Sequence, residues 1–257
     1  MTLAQYDIGL LNGVDRAVKG AVNVACPFYR RYPYRGGLWI SEVDMRVAID
    51  PARRFLYNRL PKNANSTVTS VLRNAVGGSA SQKAAKHAFT RPSRLSRAQV
   101  DALDSYFKFV IVRDPYTRTL SAYLDKIVNR RRQAKRPLRL VGKRYGTDTP
   151  SFEQFCEYLA WTGLYDDNHW APQVDGLVLP FAQFDHVGRF EQLGTELNFV
   201  SERLFGVAYD DPRQYGPAST RAAELVDRHY TPKARSIVAK LYRKDFETFG
   251  YDTESRT

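Results

Sequence analysis

Cysteine is scarce in this sequence of 257 residues, where only Cys26 and Cys156 occur. The two form no Cys-x-x-Cys pair and no cluster with histidine, so we expect neither a disulfide framework nor a structural zinc site. Long apolar runs are also missing, since the longest stretches, such as residues 107–112, are far shorter than the ~20 residues of a membrane span. The first residues lack the basic start and apolar run of a signal peptide. These absences predict a cytoplasmic protein without a membrane anchor.

Acidic residues are outnumbered, because 39 lysines and arginines stand against 27 aspartates and glutamates and leave a formal net charge of +12. Such a surface attracts anionic partners, which include phosphorylated cofactors, acidic glycans, nucleic acid and anionic lipid. Charge alone does not distinguish among them. The apolar share of 43% and the aromatic share of 13% are large enough to build a core. Disorder is therefore excluded, and the length fits one domain.

Residues 1–45 differ in composition from the rest of the chain. A weakly amphipathic stretch over residues 17–25 precedes an aromatic and basic segment over residues 28–35. We interpret residues 1–45 as an N-terminal arm packed on a main domain of residues 46–257. The alternative is an arm that makes a peripheral contact with a membrane surface or docks a substrate.

Two consecutive units of strand, loop and helix follow the arm. In the first unit, the apolar residues 55–57 form a short strand, and apolar side chains then recur with helical spacing over residues 68–75. In the second, residues 107–112 form a buried strand, and Asp114 followed by Pro115 is typical of a helix start. This alternation predicts an α/β fold with a parallel sheet covered by helices.

The remaining sequence predicts further helices and one long loop. The helices are expected over residues 97–106, 152–161, 191–205 and 232–246, and the loop over residues 211–220.

The loop between the first strand and its helix has the properties of a phosphate site. The backbone N–H groups at a helix N-terminus lack intrahelical partners, and the helix dipole favours an anion there. Lys62 adds a positive charge, and Ser66 and Thr67 add hydroxyl donors. The alternative is a capped helix with a solvent-exposed lysine. The Walker A pattern GxxxxGK[ST] is absent from the whole sequence, which disfavours a nucleotide kinase.

The exit of the second strand offers a second anion site. Arg113 lies where the strand meets the loop, and Ser121 lies within two turns of the following helix. Arginine grips phosphate oxygens with two hydrogen bonds, which lysine cannot do. Two anion sites at adjacent carboxyl ends of a parallel sheet suit a nucleotide that carries two separated phosphate groups.

These two segments resemble a known family. Residues 61–67 resemble the 5′-phosphosulfate loop of sulfotransferases that use 3′-phosphoadenosine 5′-phosphosulfate (PAPS), and residues 113–123 look like their 3′-phosphate motif. The likeness is strongest to carbohydrate sulfotransferases of the chondroitin, dermatan and HNK-1 type, and more distant to the uronyl 2-O-sulfotransferases. It continues through residues 168–170, 184–191 and 241–251. The resemblance implies a P-loop-like sulfotransferase fold and sulfuryl transfer from PAPS to a hydroxyl of a carbohydrate or glycolipid, with no metal.

The resemblance also implies roles for individual residues. Lys62 would contact the bridge between phosphate and sulfuryl group, the loop would hold the 5′-phosphosulfate, and the second motif would hold the 3′-phosphate. Arg221 is placed over the nucleotide by analogy alone. The implied nucleotide-binding residues are Lys62, Asn63, Ala64, Asn65, Ser66, Thr67, Arg113, Ser121 and Arg221.

Two departures from the family stand out. Asn65 and Ser66 occupy positions where relatives tend to have Cys or Ser followed by Thr, although Ser66 keeps the hydroxyl. The animal enzymes are anchored in the Golgi and carry a Cys-Pro-Cys element where this chain has residues 179–181, Leu-Pro-Phe. A cytosolic homologue, such as a bacterial one, is therefore expected.

Sulfuryl transfer needs a base for the acceptor hydroxyl, and histidine, with an ordinary pKa of ~6.5, suits that task. His87 lies between the two nucleotide motifs, where the uronyl 2-O-sulfotransferases resemble this chain and carry their catalytic histidine. His169, beside Trp170, is the second candidate, and a structural hydrogen-bonding role is the alternative for each. His186 and His229 are interpreted as structural.

A run of basic residues without an intervening acid follows the second motif. It either holds an acidic acceptor at the rim of the nucleotide cleft or is only a solvated loop. The run lacks interleaved aromatics, so nucleic-acid binding is not expected. The alternative to an enzyme is a non-catalytic binder of anionic polymer, either nucleic acid or acidic glycan. The run comprises Arg130, Arg131, Arg132, Lys135, Arg136, Arg139, Lys143 and Arg144.

Overall fold

A computed structural model describes residues 13–75, 89–209 and 220–254 of the chain. Its centre is a four-stranded sheet in the spatial order β1-β2-β3-β4. The first two strands pair antiparallel, whereas β2 with β3 and β3 with β4 pair parallel. The strands are β1 (Val47–Asp50), β2 (Phe55–Asn58), β3 (Phe107–Val112) and β4 (His186–Arg189).

Helices surround this sheet. The α-helices are α1 (Gly13–Ala25), α2 (Pro27–Arg31), α3 (Ile40–Asp44), α4 (Asn65–Ala75), α5 (Arg97–Asp101), α6 (Pro115–Ala122), α7 (Lys135–Tyr145), α8 (Phe152–Tyr158), α9 (Leu193–Phe205), α10 (Val226–His229), α11 (Pro232–Leu241) and α12 (Arg243–Phe249). Two π-helical segments, Tyr123–Val128 and Leu159–Gly163, directly continue α6 and α8. Short 3₁₀ turns occur at Pro92–Arg94, Ala102–Ser105, Arg132–Ala134, Val174–Gly176, Phe181–Gln183, Phe190–Gln192 and Ala223–Leu225. Within these described residues, no helix combines the length and the apolar character that crossing a membrane requires.

The predicted α/β fold is confirmed, and so are both predicted strands. The antiparallel β1 and the edge strand β4, of four residues each, were not predicted from the sequence. In β4, the backbone at Gly188 comes so close to β3 that an added Cβ would lie 2.6 Å from the Ile111 side chain. A glycine here leaves room for the end of the Ile111 side chain, although glycine inside a strand normally argues against one.

The predicted helices are present with altered ends. The segment 152–161 changes from α8 to a π-helical segment after Tyr158, and the segment 232–246 divides into two helices at Tyr242. The segment 97–106 becomes a 3₁₀ turn after Asp101, and the segment 191–205 is α-helical from Leu193. Of the predicted loop over residues 211–220, all but Thr220 lies outside the described residues.

The core lies on both faces of the sheet. All six residues of β3 are buried, as expected for the central strand of a sheet covered on both sides. The rings of Tyr57 on β2 and Phe109 on β3 stack with their centroids 4.7 Å apart. This stacking joins the two strands that lead into the predicted phosphate motifs.

The described part of the N-terminal arm packs against this sheet. Phe28 and Tyr29 are fully buried in a cluster that includes Leu56 of β2 and Leu103. The Tyr29 hydroxyl donates to Asp44 over 3.1 Å. These contacts of Phe28 and Tyr29 agree with an arm that packs on the main domain. The boundary at residue 45 stays a prediction.

A buried arginine fixes the loop after β2 to a second loop. Arg118 on α6 is only 2% exposed, and its guanidinium donates to three main-chain carbonyls. The acceptors are Pro61 at 3.2 Å, Ala171 at 2.8 Å and Asn168 at 3.2 Å. Because an arginine brings five N–H donors in a rigid plane, it can hold several carbonyls at once.

We predict that Arg118→Met destabilises the protein, because three buried carbonyls lose their donor. The expected loss in the free energy of unfolding is about 2–5 kcal/mol, measured by urea denaturation. Arg243→Met, at a side chain that is 74% exposed, is the control and should change stability by less than about 0.5 kcal/mol. Equal stability of the two variants would contradict the role given to Arg118.

Candidate active site

The loop after β2 has an unusual backbone. Lys62 and Ala64 adopt left-handed conformations, with φ angles of 71° and 54°, which cost non-glycine residues energy. Asn63 between them is fully buried, and its amide nitrogen donates to the Ile111 carbonyl at 2.9 Å. Helix α4 starts at Asn65 immediately afterwards. Alternating backbone conformations before a helix N-terminus turn N–H groups toward one point, which makes an anion-binding concavity.

Lys62 is half of a buried ion pair. Its ammonium contacts the Asp125 carboxylate at 3.0 Å, and the two side chains are 11% and 13% exposed. Burial lowers the pKa of Lys62, while the hydrogen bond and charge of Asp125 oppose that shift. The alternative of a capped helix with a solvent-exposed lysine is therefore wrong in one respect, because this lysine is not exposed.

Arg113 links the two predicted phosphate motifs. Its Nη1 donates to the main-chain carbonyl of Lys62 at 3.0 Å, and its Nε donates to Thr117 Oγ1 at 3.2 Å. The guanidinium lies 4.0 Å from the centroid of the Phe190 ring. Burial lowers the pKa of Arg113 to about 10, so the group stays charged at neutral pH.

Ser121 lies one helical turn beyond Thr117, so both hydroxyls lie on one face of α6. The Ser121 hydroxyl is buried and lies 2.9 Å from the Thr220 hydroxyl. Arg221, next to Thr220, is 72% exposed and pairs with Glu224. The structure thus pairs Arg113 with Thr117 and Ser121 with Thr220, whereas Arg221, next to Thr220, lies on the surface.

Gln173 joins the two motifs from a third loop. Its carbonyl oxygen accepts from the Asn63 side chain at 2.6 Å and from the Arg113 N–H at 3.0 Å. Its amide nitrogen donates to the Arg113 carbonyl at 2.8 Å. The Gln173 N–H in turn donates to Asp245 at 2.8 Å, and burial raises the pKa of that carboxyl to about 6.

His169 is the candidate base whose surroundings the structure describes. Its Nδ1 and its N–H both contact Asp167 Oδ1, and its side chain is 21% exposed. Burial lowers the pKa of His169, Asp167 opposes that shift, and the charges of Lys126 and Arg46 add to it. Lys126 also lowers the pKa of Lys62. The charge of Lys126 thus acts on the pKa of both the histidine and the loop lysine.

The other three histidines have different surroundings. His87 lies outside the described residues, so its predicted role as the base stays a prediction. His186 on β4 contacts Glu196 at 2.6 Å, and His229 lies edge-on to the rings of Tyr123 and Phe152. These contacts agree with the structural interpretation of His186 and His229.

The basic run forms a helix for most of its length. Helix α7 carries no acidic residue, and its buried residues are Pro137 and Val141. Arg136 pairs with Asp166 at 2.7 Å, directly before the Asp167–His169 pair. Arg144 stacks over Trp161 at 4.9 Å, and Trp161 is 53% exposed. The interpretation of the run as only a solvated loop is wrong for residues 135–145.

The sequence analysis missed several residues of this site. Asp125, Asp167 and Gln173 became visible only through their contacts with predicted site residues. Thr117 could have been found, since it lies four residues before Ser121 on the same helix. For Gln173 no such signal existed, because an uncharged side chain in a loop is no indicator of function.

Comparison with known proteins agrees with the family resemblance. The profile of the sulfotransferase family matches residues 45–252. Carbohydrate sulfotransferase 14 of Danio rerio is 25% identical over 82% of this chain and 63% of its own length. Carbohydrate sulfotransferase 12 of Xenopus laevis is 29% identical over 58% of this chain and 41% of its own. Carbohydrate sulfotransferase 14 of Homo sapiens is 32% identical over 58% and 43%. The chain thus spans about half the length of these relatives, and no solved structure matches it significantly.

The predicted cytoplasmic location is wrong. The relatives that overturn it are vertebrate carbohydrate sulfotransferases, and the animal enzymes of this type are anchored in the Golgi. Scarcity of cysteine misled the prediction, because a domain of this size has enough apolar core to need no disulfide in any compartment.

The family profile covers most of the chain, including both predicted phosphate motifs, the loop of Gln173 and the C-terminal helices. This protein belongs to the sulfotransferase family.

Proposed function

We propose that this protein transfers a sulfuryl group from PAPS to a hydroxyl of a carbohydrate. The observation that carries the proposal is the hydrogen bond from Arg113 Nη1 to the Lys62 carbonyl. It joins two cationic motifs at the carboxyl ends of the adjacent parallel strands β2 and β3. The relatives are named as carbohydrate sulfotransferases, which supports this class of acceptor.

The residues present suit both phosphate groups of PAPS. The start of α4 offers N–H groups and the hydroxyls of Ser66 and Thr67 for the 5′-phosphosulfate. Arg113 and Ser121 offer a guanidinium and a hydroxyl for the 3′-phosphate. Asn63, Ala64 and Asn65 would shape the loop, and Arg221 would approach the nucleotide from the surface. Donors and positive charges dominate this set, as an anionic ligand requires.

The reaction would be an in-line displacement at sulfur. The acceptor oxygen attacks the sulfur, and the bond from sulfur to the bridging oxygen of the 5′-phosphate breaks. Lys62 stabilises the charge that grows on this leaving oxygen, and a histidine takes the proton from the acceptor hydroxyl. Adenosine 3′,5′-bisphosphate and the sulfated carbohydrate are the products. Phosphoryl transfer is the physical template, because positioning and charge stabilisation dominate there as well.

His169, the second candidate from the sequence, has surroundings that suit a base, and His87, the first candidate, stays a prediction. An Asp167 carboxylate that accepts the Nδ1 proton leaves the lone pair of the His169 imidazole on Nε2. The lowered pKa keeps this imidazole neutral at pH 7. Because His87 lies between the two motifs in the sequence, only substitution of each histidine distinguishes the two.

The basic helix α7 supports an acidic carbohydrate as acceptor. Arg136 connects the helix through Asp166 to the loop that carries His169. The same acid-free helix is the observation that favours the second candidate function, a non-catalytic binder of anionic polymer. Such a binder would show polymer affinity that falls steeply with salt and no affinity for the nucleotide.

The decisive experiment measures the transfer of radiolabelled sulfate from PAPS to a panel of polysaccharides, glycolipids and small phenols. Transfer to a carbohydrate is expected, and Lys62→Met should lower kcat by roughly 10²–10³-fold. Its effect on the KM for PAPS should be smaller, because the charge on the leaving oxygen develops only toward the transition state. Salt-sensitive polymer binding without transfer or nucleotide affinity would support the second function instead.

We predict that Arg113→Ala weakens the binding of adenosine 3′,5′-bisphosphate by roughly 10- to 150-fold, measured by calorimetry. The reason is the loss of a charge-assisted contact of about 1.5–3 kcal/mol to the 3′-phosphate. Adenosine 5′-phosphosulfate, which has no 3′-phosphate, is the control ligand and should lose much less affinity. If both nucleotides lost the same affinity, Arg113 would only shape the loop and would not bind the 3′-phosphate.

We also predict that kcat falls as the pH drops through the pKa of the catalytic histidine, since protonation removes the base. His169→Ala should abolish this acid limb and cost roughly 10²–10⁴-fold in rate, with nearly unchanged nucleotide affinity. His87→Ala is measured in parallel. If His87→Ala abolishes the limb and His169→Ala does not, His87 is the base.

A titration by NMR checks the environment of His169 independently of activity. Its imidazole should titrate below the ordinary ~6.5, because burial lowers its pKa. Asp167→Asn should lower the pKa further, since Asp167 opposes the effect of burial. A titration of His169 above the ordinary value would contradict this description.

A further inference from the structure

We propose that Asp125 is a positioning residue that holds the ammonium of Lys62 in place and in its charged form for reaction with the donor. This inference deepens the proposed function and rests on it, because Lys62 matters to the reaction only if the nucleotide binds at the loop. The geometry that carries it is the contact of 3.0 Å between the Lys62 ammonium and the Asp125 carboxylate.

The position of Asp125 follows from a distortion of its helix. The α-helical geometry of α6 ends at Ala122, and the chain continues directly as a π-helical segment over Tyr123–Val128. A π-helical turn adds a residue to the turn, so side chains after it change face relative to a regular helix, and such turns are frequent at functional sites. In this segment Asp125 is nearly buried and faces a loop that lies 63 residues earlier in the chain.

Asp125 is surrounded by positive charge. Besides Lys62, it contacts Lys126 at 2.9 Å and Arg131 at 3.9 Å. Burial alone would raise the pKa of Asp125, but the hydrogen bonds from Lys126 and Lys62 outweigh this effect and hold its pKa below the ordinary range. A carboxylate with a lowered pKa is a poor proton acceptor. Its place beside the lysine therefore fits positioning and not removal of the acceptor proton.

The charge of Lys62 depends on this carboxylate. Burial lowers the pKa of Lys62 most strongly, and the nearby cations Lys126 and Arg113 lower it further, while Asp125 raises it. Loss of the Asp125 charge should therefore lower the pKa of Lys62. Loss of the Lys126 charge should raise it. The two neighbouring substitutions should therefore shift the pKa of Lys62 in opposite directions, which general damage to the fold would not do.

The first test needs neither acceptor nor donor. Competitive acetylation of the whole protein with acetic anhydride at a series of pH values, read by mass spectrometry on the peptide with Lys62, gives the pKa of this lysine. Asp125→Asn should lower that pKa by about one pH unit or more, and Lys126→Gln should raise it. Unchanged titration of Lys62 in both variants would overturn the proposal.

A matched control exists at the opposite end of the central strand. Lys108 pairs with Asp185 at 3.1 Å, in another lysine–aspartate pair beside β3. Asp185→Asn should leave the titration of Lys62 unchanged. A shift of Lys62 in this variant equal to that in Asp125→Asn would also overturn the proposal. If Asp125→Asn does not fold, as judged by circular dichroism, Asp125→Ser takes its place, and an unchanged pKa of Lys62 in that variant refutes the proposal.

The second test links the carboxylate to turnover, with desulfated chondroitin as the probe acceptor. Asp125→Asn should lower kcat roughly 10²-fold, the order expected when a reacting group is misplaced, and change the KM for PAPS much less. The alkaline limb of kcat should move to lower pH, and Asp125→Glu should restore part of both. A normal kcat and limb in Asp125→Asn would refute the role in catalysis. If the wild type transfers no sulfate while Lys62 shifts as described, the proposed function fails and the pairing stands.

Discussion

The hydrogen bonds of the buried Gln173 side chain are the interaction on which the candidate active site depends. Its carbonyl oxygen and amide nitrogen connect Asn63 in the loop after β2 with the main chain of Arg113 after β3. Asp245 on α12 holds the main chain of Gln173 in turn. Because every partner is buried, an unmade bond would cost the full desolvation of a polar group. The relative position of the two predicted phosphate motifs is therefore set by a neutral amide.

Burial of positive charge is the second constraint. Lys62, Arg113 and Arg118 are nearly buried, and burial lowers the pKa of each. Main-chain carbonyls accept hydrogen bonds from the guanidinium of Arg118, and the Asp125 carboxylate accepts one from Lys62. The protein's own acceptors therefore offset the desolvation cost of these buried charges. An arrangement of this kind is organised before an anion arrives, and such preorganisation is what makes electrostatic stabilisation effective in catalysis.

Much of the site could be predicted from the sequence, but its connections could not. The position of Lys62 before a helix and of Arg113 after a strand follows from local periodicity and helix-start signals, which act over a few residues. Their roles toward a nucleotide stay predictions. The partners Asp125 and Asp167 are ordinary acids in sequence terms. What distinguishes Asp125 is a contact across 63 residues, and what distinguishes Asp167 is its contact with the partly buried His169.

The sequence by itself determined the α/β class, the central strand, the cationic character of the two loops and the family, because these depend on composition, periodicity and short motifs. Tertiary structure alone decided the antiparallel β1 and the edge strand β4, whose places in the sheet come from pairing with β2 and β3 and not from a pattern within each strand. It also decided that Lys62 is buried against Asp125 and that the basic run lies on a helix tied to the loop of His169. These features rest on contacts between distant segments, which no local pattern encodes.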